Sequence, residues 1–238
     1  MSAQGILENL RGIEERIARA AERAGRRPAE ITLVGVSKTF PAEAIREAFS
    51  AGVRHFGENR VQEWEGKRGA LAELAGCWHL IGHLQSNKAA RAARLFDCVD
   101  SVDDLDLAQR QNRARGEAVA GKKLRVLIEV RIAPEETKSG VEEGHLEALA
   151  EAVRGLEYLE LAGLMCIPPF LEDAQRVRPY FRRLRELRDG LAARLGCGLP
   201  VLSMGMSHDF EAAIEEGATE VRVGTALFGG RGAAGAGA

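Results

Sequence analysis

The chain has 238 residues, 45% of them apolar and 29% charged, and its 33 Lys plus Arg against 35 Asp plus Glu give a formal net charge of −2. A chain of this length buries roughly 70 to 75% of its unfolded surface in one compact fold, and a single barrel-type domain uses all of it. Basic and acidic residues are interleaved and only 5% of residues are aromatic, so neither a field for capturing polyanions nor a platform for stacking bases is expected, and nucleic acid is excluded as a partner.

Ile6, Leu10, Ile13 and Ile17 recur at steps of three and four. Residues 3 to 24 therefore read as an amphipathic helix, a lid or a packing helix, ended by Gly25 and Pro28. Beyond it, short apolar runs alternate with helical patterns. The runs are Ile31 to Ser37, Val53 to Gly57, Trp78 to Gly82, Cys98 to Ser101, Val126 to Ile132, Leu159 to Ile167, Val201 to Met204 and Val221 to Gly224. Helices are predicted over 42–51, 59–74, 86–95, 102–120, 142–154, 172–195 and 208–216. Runs of continuous apolar character are what strands buried on both faces require. About eight βα units predict a single-domain (β/α)8 TIM barrel over residues 1–230 with an additional N-terminal helix. The rival, a doubly wound sheet, is disfavoured because Lys38-Thr39-Phe40-Pro41 after the first run contains no glycine. Residues 231–238, nearly all Gly and Ala, are expected to be a disordered tail.

Cys77, Cys98, Cys166 and Cys197 are far apart and none stands in a CxxC pair. Their spacing suggests neither a disulfide framework nor a zinc site, and reduced core-filling thiols are expected. No stretch approaches the ~20 apolar residues of a membrane span, and no apolar leader opens the chain. A cytoplasmic protein, with no membrane partner, is expected.

Function in such a barrel sits where strands end and helices begin. The residues there are polar: Lys38, then Glu58 and Asn59, then His83, Gln85 and Ser86, then Ser101, then Lys138, then Ser203 to Ser207, then Gly224 and Thr225. Lys38 follows a run dominated by Ile, Leu and Val, so its amine faces the mouth from a buried strand, the setting of a Schiff-base nucleophile; an ordinary solvated loop lysine is the alternative. Ser207 with Gly224-Thr225 supplies hydroxyls and glycine-exposed amides after the seventh and eighth strands, where barrels commonly hold a phosphate. Ser207 as a simple helix N-cap is the competing role. His208-Asp209 reads as helix-start chemistry, and Cys166 as core filler. A lysine and a phosphate cradle on one rim suggest a phosphorylated aldehyde held covalently, pyridoxal 5'-phosphate.

Several ordered motifs carry a resemblance. Val34-Gly35-Val36-Ser37-Lys38-Thr39, His55-Phe56-Gly57-Glu58-Asn59, Trp78 to Lys88, Lys138-Ser139-Gly140, Gly163-Leu164-Met165, Leu202 to Ser207 and Val221 to Thr225 resemble the pyridoxal phosphate homeostasis proteins, which in turn resemble the N-terminal barrel of alanine racemases. The resemblance implies that Lys38 forms the internal aldimine, that Ser207, Gly224 and Thr225 hold the phosphate, and that Arg222 approaches the pyridine nitrogen. Asn59, His79, Met165 and Ser203 would line the pocket. It further implies a monomeric carrier that buffers the cofactor and passes it to apo-enzymes. The alternative is a small racemase of the alanine racemase type. Such racemases take a second base, a tyrosine, from a separate C-terminal domain of a partner subunit, whereas the tyrosines here are Tyr158, before a strand, and Tyr180, within a helix. Lys138, on the same rim, is a candidate way-station for cofactor release.

Overall fold

A computed structural model describes residues 3–118, 121–133 and 139–229. Eight parallel strands close a barrel in sequence order: β1 Thr32–Val36, β2 His55–Glu58, β3 Cys77–Leu80, β4 Cys98–Val102, β5 Leu124–Glu129, β6 Leu159–Met165, β7 Val201–Met206 and β8 Glu220–Val223. The ring closes where β1 pairs with β8 in the register Val34↔Arg222 and Gly35↔Val223. Each predicted apolar run is thus a barrel strand. The apolar character is continuous because every strand is covered on both faces. Val126, Ile128, Leu164 and Leu202 point outward into the layer shared with the helices, while Leu127, Ala162, Met165 and Val201 pack together as a separate cluster on the opposite face, inside the barrel.

The helices are α1 Ala3–Arg23, α2 Ala42–Ala51, α3 Val61–Arg68, α4 Ala89–Leu95, α5 Leu105–Ala118, α6 Leu146–Arg154, α7 Arg178–Leu195, α8 Phe210–Glu215 and α9 Thr225–Phe228. Several start later than the sequence pattern implies because a 3-10 turn precedes them, as Ser86–Lys88 precedes α4 and Ala174–Val177 precedes α7. The short α9 has no periodicity to announce it.

The first helix packs and is not a lid. Its apolar stripe, Ile6, Leu10, Ile13 and Ile17, is buried against α2, α8 and α9 on the outside of the barrel. Asn9 donates to the Leu227 carbonyl of α9 at 3.0 Å, and Arg16 pairs with Glu211 of α8 at 2.9 Å. At roughly 1.5 to 3 kcal/mol for each fully buried aliphatic side chain, that stripe is a substantial tie between the chain's start and its last elements. No described helix is long and apolar enough to cross a membrane. The 231–238 tail lies outside the described residues.

Candidate functional site

Lys38 stands two residues beyond the end of β1, half-buried, between the wholly buried Ser37 and the exposed Thr39. The chain on either side of it is fixed. The Ser37 amide donates to the Gly57 carbonyl at 2.9 Å, and the Ser37 hydroxyl donates to the Glu58 carboxylate at 2.7 Å. Lys67, from α3, donates to the Ser37 carbonyl at 3.1 Å, to Glu58 at 3.2 Å and to Glu63 at 2.6 Å. Thr39 adopts φ 69, a conformation uncommon for a residue with a branched side chain. Its amide is held there by the Glu63 carboxylate. Burial raises the Glu58 carboxyl above its ordinary range, against the opposing pull of Lys67 and Ser37. Glu63 is also partly desolvated, but its bonds to Lys67 and the Thr39 amide outweigh that and lower it. Glu58 was legible as a rim residue without a role; Lys67 had only its i,i+4 spacing from Glu63 to mark it.

On the neighbouring edge of the barrel, the Ser207 hydroxyl accepts the Gly224 amide at 3.3 Å and the Ala226 amide at 3.4 Å. Ser207 is therefore not the cap of α8. The N-cap position of α8 belongs to Asp209, whose carboxylate accepts the Met206 amide at 2.6 Å, and Ser207 instead meets the turn from β8 into α9. Thr225, first residue of α9, is exposed. The turn leading to Ser207 depends on Gly205: its φ is +93, and a Cβ there would lie 2.6 Å from the Ala213 Cβ and 2.9 Å from the Phe210 Cα. The Lys38 loop and this turn touch. A Cβ on Gly224 would stand 3.4 Å from the Val36 Cβ, and Phe40 stacks on Phe228 with centroids 4.9 Å apart.

Arg222 is 3% exposed. Its guanidinium donates to the Ser203 hydroxyl at 2.7 Å and to the Cys166 carbonyl at 2.8 Å, so a permanent cation is locked across β6, β7 and β8. Met165 is wholly buried in the interior apolar cluster, in register with Ser203. Asn59 lines a cleft of about 910 Å³ with Glu63, His83, Gln85 and Lys88. The backbones there approach so closely that a Cβ on Gly82 would come within 2.5 Å of the Asn59 carbonyl.

His79 departs from the group. Its Nδ1 faces the Asp100 carboxylate at 2.9 Å and its Nε2 faces His55 Nδ1 at 3.0 Å, so both ring nitrogens are occupied below the mouth. Lys138 lies outside the described residues. Cys166 is wholly buried, and burial pushes its thiol up to about 12, which suits a core filler and not a nucleophile. Tyr158 precedes β6 and is half exposed, and Tyr180 lies on α7 against the hydrophobic core.

The fold and the polar mouth define the class: a barrel of the alanine racemase N-terminal domain type, whose family model matches residues 9–232. The chain is 50% identical over 225 residues to the pyridoxal phosphate homeostasis protein of Aquifex aeolicus, covering 94% of this chain and 97% of that one. It is 49% identical to the protein of the same name from Pseudomonas aeruginosa, covering 95% and 96%. Among solved structures, PipY of Synechococcus elongatus with PLP bound superposes with a TM-score of 0.79 at 41% identity, covering 90% of this chain and 100% of that one. An alanine racemase of Clostridium difficile shares the fold at a TM-score of 0.71 and 16% identity, and this chain covers 56% of it. The chain belongs to the pyridoxal phosphate homeostasis protein family.

Proposed function

We propose that this protein is a carrier of pyridoxal 5'-phosphate: a monomer of the cytoplasm that binds the cofactor reversibly through Lys38 and passes it to apo-enzymes. The observation that carries this is that the segment bearing Lys38 adjoins the Ser207 and Gly224 turn across the β1–β8 seam, where Val36 packs on Gly224 and Phe40 on Phe228. A lysine and a set of hydroxyl and amide groups on adjoining loops fit an aldehyde bearing a phosphate. The names of the curated relatives and the PLP in the PipY structure support the choice of cofactor.

In this reading Ser207, Gly224 and Thr225 hold the phosphate with charge-assisted hydrogen bonds. The Lys38 amine adds to the aldehyde carbon and water leaves, so a C=N bond replaces C=O. Asn59, Met165 and Ser203 wall the ring. Arg222, held by Ser203 and the Cys166 carbonyl, stands at the ring nitrogen; a guanidinium does not give up its proton, so it disfavours protonation of that nitrogen and weakens the ring as an electron sink. Neither Tyr158 nor Tyr180 is arranged as an opposing base. Binding without turnover follows.

The test is the visible absorption of the purified protein loaded with pyridoxal phosphate, before and after borohydride reduction, with the modified peptide located by mass. The adduct should map to Lys38 and vanish in Lys38→Ala. A stable adduct solely on another lysine would overturn the assignment. Many turnovers of L-alanine to the D isomer per bound cofactor would replace the carrier with the racemase.

A further inference from the structure

At the end of the barrel opposite the mouth, three consecutive strands begin with a metal-ligating side chain: His55 opens β2, Cys77 opens β3 and Cys98 opens β4. His79 follows Cys77 by two residues, so both project from the same face of β3. The register sets His55 beside Cys77 and His79 beside Cys98. His55, Cys77 and His79 thereby converge on one spot, with Cys98 beside Cys77. His55 Nδ1 and His79 Nε2 are 3.0 Å apart, Cys77 Sγ and His79 Nε2 3.5 Å, and Cys77 Sγ and Cys98 Sγ 3.7 Å. The ligand atoms of His55, Cys77 and His79 all lie within 4.8 Å of one another.

These separations match one chemistry closely. Around a tetrahedral zinc with Zn–S of about 2.3 Å and Zn–N of about 2.0 to 2.1 Å, sulfur and nitrogen stand about 3.5 Å apart, and two nitrogens about 3.3 Å. A disulfide needs its sulfurs at about 2.05 Å, and all the cysteines are free. The orientation of His79 is also that of a metal ligand, since its Nδ1 lies 2.9 Å from the Asp100 carboxylate. That bond fixes the ring tautomer and turns the Nε2 lone pair to the cluster, the carboxylate–histidine arrangement that supports bound zinc. His79 and Cys98 are buried, whereas His55 and Cys77 are half-buried, which leaves an approach from the end of the barrel. A thiolate and two imidazoles, with the fourth tetrahedral position open, select Zn2+ over hard cations such as Mg2+ or Ca2+.

We propose that His55, Cys77 and His79 bind a single tetrahedral Zn2+, its fourth position open to water, that staples β2 and β3 together at the amino-terminal end of the barrel. This site is independent of the cofactor reading. It shares no residue with the Lys38 and Ser207 group.

The test uses the full chain, purified under reducing conditions, stripped with a chelator and titrated with Co2+ and Zn2+. One equivalent of Co2+ should give the strong d–d absorption of a tetrahedral site with thiolate-to-cobalt charge transfer, and Zn2+ should displace it and raise Tm. Asp100→Asn should weaken binding by roughly 10- to 100-fold, and Cys77→Ser by more. X-ray absorption of the zinc-loaded parent should count one sulfur neighbour at about 2.3 Å, a readout that needs no variant to fold. Weak octahedral cobalt bands, sulfur-free zinc, or affinity unchanged in Cys77→Ser would each overturn the site.

Discussion

Phe40 and Phe228 stack face to face, 4.9 Å between centroids and 27° between planes. Phe40 belongs to the loop that leaves Lys38, and Phe228 closes α9, whose first turn carries Thr225. The two halves of the proposed cofactor site are therefore bolted together by an aromatic pair that sits in neither. Such pairs are worth about 0.5 to 1.5 kcal/mol beyond the area they bury.

Phe40→Ala should accordingly leave the barrel folded and Lys38 still reactive, while the phosphate cradle drifts relative to the amine. A rise in the rate of pyridoxal phosphate release of roughly 2- to 12-fold is expected from that energy. Stopped-flow transfer of the cofactor to an apo-enzyme in excess measures it. An unchanged rate would mean that the stack serves the fold alone.

Ser207→Ala and Thr225→Ala each remove a hydroxyl from the phosphate cradle, a charge-assisted partner worth about 1.5 to 3 kcal/mol. Affinity for pyridoxal phosphate should fall by roughly 10- to 100-fold, and affinity for pyridoxal, which has no phosphate, should hardly change. Fluorescence titration with both ligands separates the cases. Equal losses for the two would point to a collapsed pocket.

A pH dependence follows from Glu129, at the end of β5. Its carboxylate is 3% exposed, accepts the Ser139 hydroxyl at 2.8 Å through one oxygen and has no partner among the described residues on the other. Burial is the main cause that raises its pKa above the ordinary carboxylate value. The folded state therefore holds this proton to a higher pH than the unfolded chain, where Glu titrates at about 4.3. Stability from this group is present below that value and is lost as the pH rises through the folded-state pKa. Glu129→Gln, which cannot ionise, should decline less than the parent between acidic and neutral pH in urea unfolding at a series of pH values. A parallel decline in both would assign the slope to other groups.

Much of this protein was legible before its structure. The barrel could be read from the eight apolar runs because parallel strands covered on both faces cannot afford polar alternation, and Lys38, Ser207 and Gly224 stood out because they lie at or shortly after the ends of such runs. The boundaries of α4 and α7 were blurred by leading 3-10 turns, and α9 is too short to show a period. His79 illustrates the other limit. Its place inside β3 marked it as facing the interior, but only its contacts with Asp100 and His55 reveal that it hangs below the mouth.

By itself, the sequence determined the number and order of the strands and the residues that stand at the strand ends, since these follow from local periodicity and chain direction. Tertiary structure alone decided what meets across strands. Ser37, Glu58, Lys67, Glu63 and Thr39 lock around Lys38 from two strand ends and a helix. Cys77 and Cys98, 21 residues apart in the chain, come within 3.7 Å. Neither grouping has a spacing of its own, because barrel register, and not distance along the chain, brings the first residues of neighbouring strands together.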